Sequence, residues 1–150
     1  MRDPRDIYQE NLDRVAVRLW ARDFDGVCDL LLVPPPVGTG AGVEDGGAIR
    51  RNLADYCRSL DEFGAQGYHR LCLEAAYTSD EGVQIRGRHR TFVLAGGAHV
   101  IPPYDCEMDL LMTPHGWKAA RLRLLADSVA IPIIDPAEFR PRENATESLP

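Results

Sequence analysis

Hydrophobic residues recur at three- and four-residue spacing over the first third of the chain, as they do in amphipathic helices. Asp3 and Pro4 form a typical helix start, because an aspartate caps free N–H groups and proline suits the first helical position. Asp23 is expected to cap a second, short helix that the prolines at 34–36 end. The first stripe contains Ile7, Asn11, Val15 and Leu19, flanked by Tyr8, Leu12 and Trp20, and the second contains Phe24, Val27, Cys28, Leu31 and Leu32.

The composition changes between residues 37 and 47 to glycine with small and apolar residues, which favours a short, irregular strand pair over a helix. A third amphipathic stripe then predicts a helix from about Ala48 to Phe63, with Gly64 as its stop. Its apolar positions are Ile49, Leu53, Tyr56, Cys57 and Leu60.

Four extended runs follow, at residues 68–79, 83–94, 99–113 and 117–127, and turn residues separate them. They predict an antiparallel meander joined by hairpins. Each run exceeds the usual strand length, so we expect bends near Gly87 and at Pro102-Pro103. The predicted fold is therefore α+β: a cone-shaped roll in which three N-terminal helices pack on a strongly curved, mostly antiparallel sheet.

Composition and charge limit the possible functions. A chain of 150 residues with 45% apolar content can build one core, so we expect a single domain over residues 1–139 and a poorly ordered tail over 140–150. A net charge of −6 argues against nucleic acid or an anionic membrane as the main partner. No apolar run reaches membrane-spanning length and no secretion signal is evident, which favours a cytoplasmic protein. The four cysteines form no C-x-x-C pair and are expected to be free thiols.

The order of elements resembles the nuclear transport factor 2-like superfamily, in its SnoaL-like branch of small cyclases, isomerases and pocket proteins. The resemblance covers residues 5–127 and includes two local motifs, Gly47-Ala48-Ile49-Arg50 at the third helix and the strand opening at residues 116–121, Gly-Trp-Lys-Ala-Ala-Arg. It implies the cone fold and an interior pocket. It does not fix an activity, because this superfamily hosts enzymes, oxygenase small subunits and non-enzymatic binders.

The resemblance also implies where an isomerase-type site would lie. Its carboxylate base would fall near Pro36, which cannot abstract a proton, and its tyrosine would fall near Arg14 to Arg18, whereas Tyr8 is about two turns too early. Only the second carboxyl has candidates, in Glu107 and Asp109. This sequence therefore does not support ketosteroid-isomerase chemistry.

Alternation along the strands singles out a histidine. His89 shares a face with apolar neighbours, whereas Arg86, Arg88 and Arg90 share the other face. One hypothesis pairs His89 with Glu107 or Asp109 for proton transfer, making these three the candidate catalytic residues. The alternative, which we favour, pairs both carboxylates with the arginines on the outer face.

Two classes of function remain open. The first is an acid/base isomerase, cyclase or dehydratase acting on an apolar or polycyclic substrate, and the second is a non-catalytic ligand-binding or dimerisation module. An oxygenase small subunit is a weaker third alternative. A small apolar ligand, no cofactor, no metal and a homodimer through the outer face of the sheet are expected. The residues expected to contact the ligand are Trp20, Tyr56, His69, Tyr104, Met108 and Trp117.

Overall fold

The computed structural model describes residues 1–32 and 42–125, with the backbone alone at 42–46 and 48. Its three helices are α1 (Pro4–Trp20), α2 (Phe24–Asp29) and α3 (Gly42–Glu62). Both predicted caps are confirmed. The Asp3 side chain accepts a hydrogen bond from the Arg5 N–H at 2.9 Å, and the Asp23 side chain accepts one from the Gly26 N–H at 3.0 Å.

Two predicted helix boundaries were wrong. Helix α3 begins at Gly42, so residues 42–47 are helical and do not form an irregular strand. The rest of the predicted strand pair, residues 37–41, lies outside the described residues. Helix α2 ends at Asp29, because Leu31 leaves it to form a parallel bridge with Ala119.

Five strands form the sheet within the described ranges: β1 (Gly67–Tyr77), β2 (Gln84–Ala95), β3 (Ala98–His99), β4 (Tyr104–Thr113) and β5 (Gly116–Leu124). The sheet is curved, all its strand pairs are antiparallel, and the order is β1-β2-β4-β5, with β3 paired to β2. The predicted α+β architecture and meander are confirmed. The third predicted run is split into β3 and β4, because Pro102 and Pro103 cannot donate to a strand ladder.

Two bulges interrupt the strand pairing. In β1, Leu73 is an extra residue between Cys72, opposite His89, and Glu74, opposite Arg88. The second bulge is in β5, where Ala120 and Arg121 lie opposite the single residue Asp109 of β4. A bulge bends its strand and exchanges the face on which later residues lie. As a result, Tyr68, Arg70 and Cys72 share the helix-facing side of β1 with Ala75 and Tyr77.

The core lies between the helices and this inner face of the sheet, in two apolar clusters. One cluster contains Ile7, Tyr8, Leu12, Ile85, Met108, Leu110 and Ala119. The other contains Val15, Leu19, Val27, Leu30, Leu53, Tyr56, Cys57, Leu60, Val93, Ile101, Tyr104 and Cys106. On β2, Ile85 belongs to the first cluster and Val93 to the second, and between them lie the inward positions of Gly87, His89 and Thr91. The boundary between the clusters is therefore polar.

A glycine fixes how closely α1 approaches β2. The Tyr8 ring lies where a side chain at position 87 would project, and a Cβ added to Gly87 would be 2.7 Å from Cδ2 and 2.8 Å from Cζ of Tyr8. The predicted bend near Gly87 is thus a place of close packing, and the register shifts lie elsewhere.

We expect Gly87→Ala to lower the free energy of unfolding by about 1–3 kcal/mol, because the added methyl group forces the Tyr8 ring out of a packed position. Denaturant unfolding measures this change. Gly67→Ala is the matched control, since its Cβ would meet nothing closer than 3.5 Å. Equal stability of the two variants would show that Tyr8 does not depend on the space at Gly87.

Candidate functional site

His89 lies at the polar boundary between the two clusters, with 1% of its surface exposed. Its Nδ1 is 2.7 Å from the hydroxyl oxygen of Tyr8 on α1, and its Nε2 is 3.1 Å from Nη2 of Arg70 on β1. The Tyr8 and His89 rings are tilted by 51° at a centroid distance of 5.7 Å. The imidazole therefore links a helix to the edge strand of the sheet. We refer to Tyr8, His89 and Arg70 as the polar centre.

The hydrogen-bond roles in the polar centre follow from the chemistry of arginine. A guanidinium carries donors only, so Nε2 of His89 must accept the bond from Arg70. The single proton of a neutral imidazole then lies on Nδ1 and is donated to the Tyr8 oxygen. The hydroxyl proton of Tyr8 is consequently left to donate elsewhere, and no described residue accepts it.

Burial and charge keep the polar centre in one protonation state. Burial, together with the neighbouring Arg70 charge, holds the pKa of His89 well below its ordinary value. Burial also raises the pKa of Tyr8 far above that of an exposed tyrosine. At neutral pH the imidazole and the phenol are both uncharged, and Arg70 is the charged member.

Arg70 is held by its strand and by α1. It lies opposite Thr91 on β2, and Thr91 in turn lies opposite Tyr104 on β4, so the three share the inner face. The Gln9 side-chain amide donates to the Arg70 carbonyl at 2.9 Å and accepts from the Cys72 N–H at 2.8 Å. This pair of bonds satisfies the open edge of β1 and fixes the backbone that carries Arg70.

A group of aromatic side chains lies beside the polar centre. The hydroxyls of Tyr56 and Tyr104 are 3.0 Å apart, and Tyr56 also shares a hydrogen bond with Tyr68. Burial raises the pKa of all three phenols. Trp20 stacks on Tyr68 with 9° between the rings, and the Arg22 guanidinium lies over the indole. We call Trp20, Tyr56, Tyr68 and Tyr104 the aromatic wall.

Two buried polar atoms have no hydrogen-bond partner in the described part of the chain: Nε of Arg88 on the outer face, which is 3.7 Å from a Glu74 oxygen, and Oδ1 of Asn11. Asn11 lies three residues after Tyr8 on the buried face of α1 and is 4% exposed, and its Oδ1 is unpaired. An unmet buried acceptor costs about 1–3 kcal/mol. Such an atom marks a place where a bound molecule could supply the missing donor.

The predicted pairing of His89 with Glu107 or Asp109 does not form, because both carboxylates lie on the opposite face of the sheet. Asp109 accepts two bonds from Arg86, at 2.8 and 3.2 Å, and Glu107 pairs with Arg123. The favoured alternative, an ion pair with an arginine of β2 on the outer face, is confirmed for Asp109, whereas Glu107 pairs with an arginine of β5. Antiparallel pairing explains this, since His89 lies opposite Cys106 and the residues of β4 alternate from there.

The other predicted ligand contacts lie in four separate places. Tyr56, Tyr104 and Trp20 join the aromatic wall, although Trp20 keeps 37% of its surface exposed. Met108 is buried in the cluster that contains Tyr8. Trp117 lies against Tyr77 near the β4–β5 turn, and His69 is exposed, because the bulge at Leu73 reverses the face assumed for it.

Sequence reasoning missed Arg70 and undervalued Tyr8. The run Leu71-Cys72-Leu73 places three apolar residues in succession, which breaks alternation and was the available signal of a bulge. Without the bulge, Arg70 falls on the outer face. Tyr8 was visible at helical spacing with Leu12 and Val15, but only the structure shows its contact with His89.

The described residues offer no metal site: no three His, Cys, Asp or Glu side chains come together in a group that could hold an ion. Over the same residues, no helix is both long enough and apolar enough to span a membrane.

No protein-family model and no curated protein matches the chain, but solved structures do. It is similar to a variant of a protein of unknown function from Mycobacterium tuberculosis, with 17% identity, a TM-score of 0.55, and coverage of 84% of this chain and 80% of that one. It is also similar to Aln2 from a Streptomyces species, with 16% identity, a TM-score of 0.60, and coverage of 86% of this chain and 96% of that one. A third similar structure is a nuclear transport factor 2-like protein with a cystatin-like fold from Novosphingobium aromaticivorans, with 20% identity, a TM-score of 0.50, and coverage of 85% of this chain and 84% of that one. These likenesses show that the fold is nuclear transport factor 2-like, as the resemblance predicted, and the SnoaL-like branch stays a prediction.

We expect the protein to lose stability as the pH falls below about 6.5, the ordinary pKa of an unfolded histidine. Below that pH the unfolded chain binds a proton at His89, whereas His89 stays neutral in the folded chain. The free energy of unfolding therefore falls by up to roughly 1.4 kcal/mol for each pH unit. Urea unfolding of wild type and His89→Gln across this range measures the effect.

The stability difference between wild type and His89→Gln should shrink as the pH falls. His115→Gln removes an exposed histidine from the β4–β5 turn and is the control, which should keep the wild-type pH dependence. A His89→Gln variant with the same pH dependence as wild type would contradict a neutral, buried His89.

Proposed function

We propose that this protein binds a small, largely apolar molecule between its helices and the inner face of its sheet, and recognises one oxygen-bearing group on that molecule through the polar centre. The observation that carries the proposal is a set of donors without acceptors. Within the described residues, neither the Tyr8 hydroxyl proton nor the guanidinium beyond its bond to His89 has an acceptor. Tyr8 is fully buried, and a buried donor is costly unless a partner accepts its hydrogen bond.

The surroundings of the polar centre favour an apolar body for the ligand. Apolar clusters lie on both sides of it, and the aromatic wall adjoins it. Most binding sites for small molecules combine an apolar lining with a few fixed polar groups. Tyr8, fixed by the histidine bond, and Arg70, fixed by Gln9, supply such groups at defined positions.

Binding is better supported than general-base catalysis. The only free lone pair of a neutral imidazole is the one at Nε2, which accepts from Arg70, and Nδ1–H donates to Tyr8. His89 therefore has no basic nitrogen free to remove a proton from a substrate. The carboxylates of Glu107 and Asp109 are held by arginines on the outer face.

Acid-assisted catalysis is a second candidate, and the Tyr8–His89 bond favours it. A phenol whose oxygen accepts from an imidazole can donate to a substrate oxygen on which negative charge develops, as in enolisation. An isomerase, cyclase or dehydratase of this kind would need its base from the substrate, from water or from a residue outside the described ranges.

The homodimer stays a prediction. Its proposed surface, the outer face of the sheet, carries the Arg86–Asp109 and Arg90–Asp105 ion pairs beside Leu71, which is 52% exposed. The apolar segment at residues 129–134, which also motivated this prediction, lies outside the described residues, as does the predicted tail at 140–150.

We expect polycyclic ketones and quinones to bind more tightly than their parent hydrocarbons, because only the oxygenated compounds accept the free donors. A ligand at 100 times its dissociation constant stabilises the folded protein by roughly 2.7 kcal/mol, which a thermal-shift measurement detects. Tyr8→Phe should weaken the oxygenated compounds by about tenfold, as expected for a lost hydrogen bond of about 1.4 kcal/mol, and leave the hydrocarbons unchanged.

Tyr77→Phe is the matched control for this test. It removes a tyrosine hydroxyl that donates to the Arg2 carbonyl near the N-terminus, away from His89. The proposal fails if no apolar compound stabilises the protein, or if Tyr8→Phe and Tyr77→Phe have the same effect on binding.

A further inference from the structure

Arg70 is a cation on the inner face of the sheet without a described counter-charge. The groups that interact electrostatically with its guanidinium are three tyrosines and a cysteine, Tyr68, Cys106, Tyr8 and Tyr104. None of them is a carboxylate, and the nearest hydrogen-bond partner, His89, is neutral. A guanidinium stays protonated at any physiological pH, so the positive charge is permanent.

This arrangement differs from that of the other arginines of the sheet. Arg86, Arg88 and Arg90 on β2 and Arg123 on β5 all lie on the outer face, and each has a carboxylate within salt-bridge distance. Four more arginines, at positions 2, 22, 50 and 58, are also paired. Arg121 of β5 has no ion pair among the described residues but is exposed to water, whereas Arg70 faces inward without a carboxylate among them.

We infer that Arg70 binds the carboxylate of an otherwise apolar, aromatic acid. This inference rests on the proposed function and names the oxygen-bearing group of that ligand. The planar guanidinium presents parallel N–H donors that match the two oxygens of a carboxylate. Here it is oriented in advance, because Nη2 is bonded to His89 and the Arg70 carbonyl is bonded to Gln9.

The charge count favours a carboxylate over a phosphate. A phosphate monoester carries nearly two negative charges at neutral pH, and the described inner face offers one unpaired cation. One carboxylate neutralises that cation completely. Arg70 keeps part of its surface exposed, although its guanidinium lies among the tyrosines of the inner face.

The aromatic wall favours an aromatic body for the acid. Tyr68 lies two residues before Arg70 on the same face of β1, edge-on to Tyr56 at a centroid distance of 6.2 Å and stacked with Trp20 at 6.5 Å. Aromatic rings pack well against such neighbours in offset and edge-to-face arrangements. A ring attached to a carboxylate on Arg70 would therefore have the aromatic wall, with Tyr68 and Tyr104, beside it.

The test uses pairs of probes that differ only in charge: naphthoate with naphthamide, and anthraquinone carboxylate with its carboxamide. Dissociation constants are measured by calorimetry at neutral pH for wild type, Arg70→Met, Arg70→Lys and Arg90→Met. We expect wild type to bind each acid at least tenfold more tightly than its amide. Arg70→Met should abolish this preference, and Arg70→Lys should keep part of it, because lysine keeps the charge but loses the paired donors.

Arg90→Met is the matched control, since it removes an arginine from the outer face of the neighbouring strand and should keep the full preference. Equal binding of acid and amide by wild type would overturn this inference and leave the proposed function standing. A preference for the acid that Arg70→Met retains would also overturn the inference and leave the proposed function standing. Tighter binding of phenyl phosphate than of the acids would overturn the choice of a carboxylate. If neither acids, amides nor the neutral ketones and quinones bind, the proposed function fails and the inference fails with it.

Discussion

The imidazole of His89 joins Tyr8 on α1 to Arg70 on β1, and the inner face of this protein depends on that link. A neutral hydrogen bond contributes about 0.5–1.5 kcal/mol and one from a charged donor about 1.5–3 kcal/mol, so the pair is a sizeable part of the stability of a small domain. The neighbouring packing serves the same contact. Gly87 leaves room for the Tyr8 ring, and Gln9 holds the backbone that carries Arg70.

The strand register separates two kinds of charge. On the outer face, arginines of β2 meet aspartates of β4 across the ladder, so those charges neutralise one another. Water and salt screen the exposed Arg90–Asp105 pair, whereas Asp109 is buried. On the inner face, Arg70 is the one arginine of the described strands, and it lies among phenols and a neutral histidine. The same chain thus keeps its acids away from its interior cation, which is what a site for an acceptor ligand requires.

Much of the fold could be predicted from the sequence because its signals are local. The caps at Asp3 and Asp23, the hairpin turns and the alternation that places His89 inward each depend on neighbouring residues. The polar centre could not be predicted from the sequence, because a one-residue bulge at Leu73 determines whether Arg70 lies on the inner or the outer face of β1. The partner of Glu107 could not be predicted either, because the bulge in β5 determines which arginine of that strand lies close to Glu107.

The central claim is that His89 is a neutral imidazole that accepts at Nε2 from Arg70 and donates from Nδ1 to Tyr8. Nitrogen-15 NMR of the histidine side chains tests it most directly, with His89 assigned through the His89→Gln variant. We expect a neutral ring protonated on Nδ1, both at neutral pH and roughly one unit below the ordinary histidine pKa of about 6.5. A ring protonated on Nε2, or one that becomes charged near pH 6.5, would show that these hydrogen-bond roles are wrong.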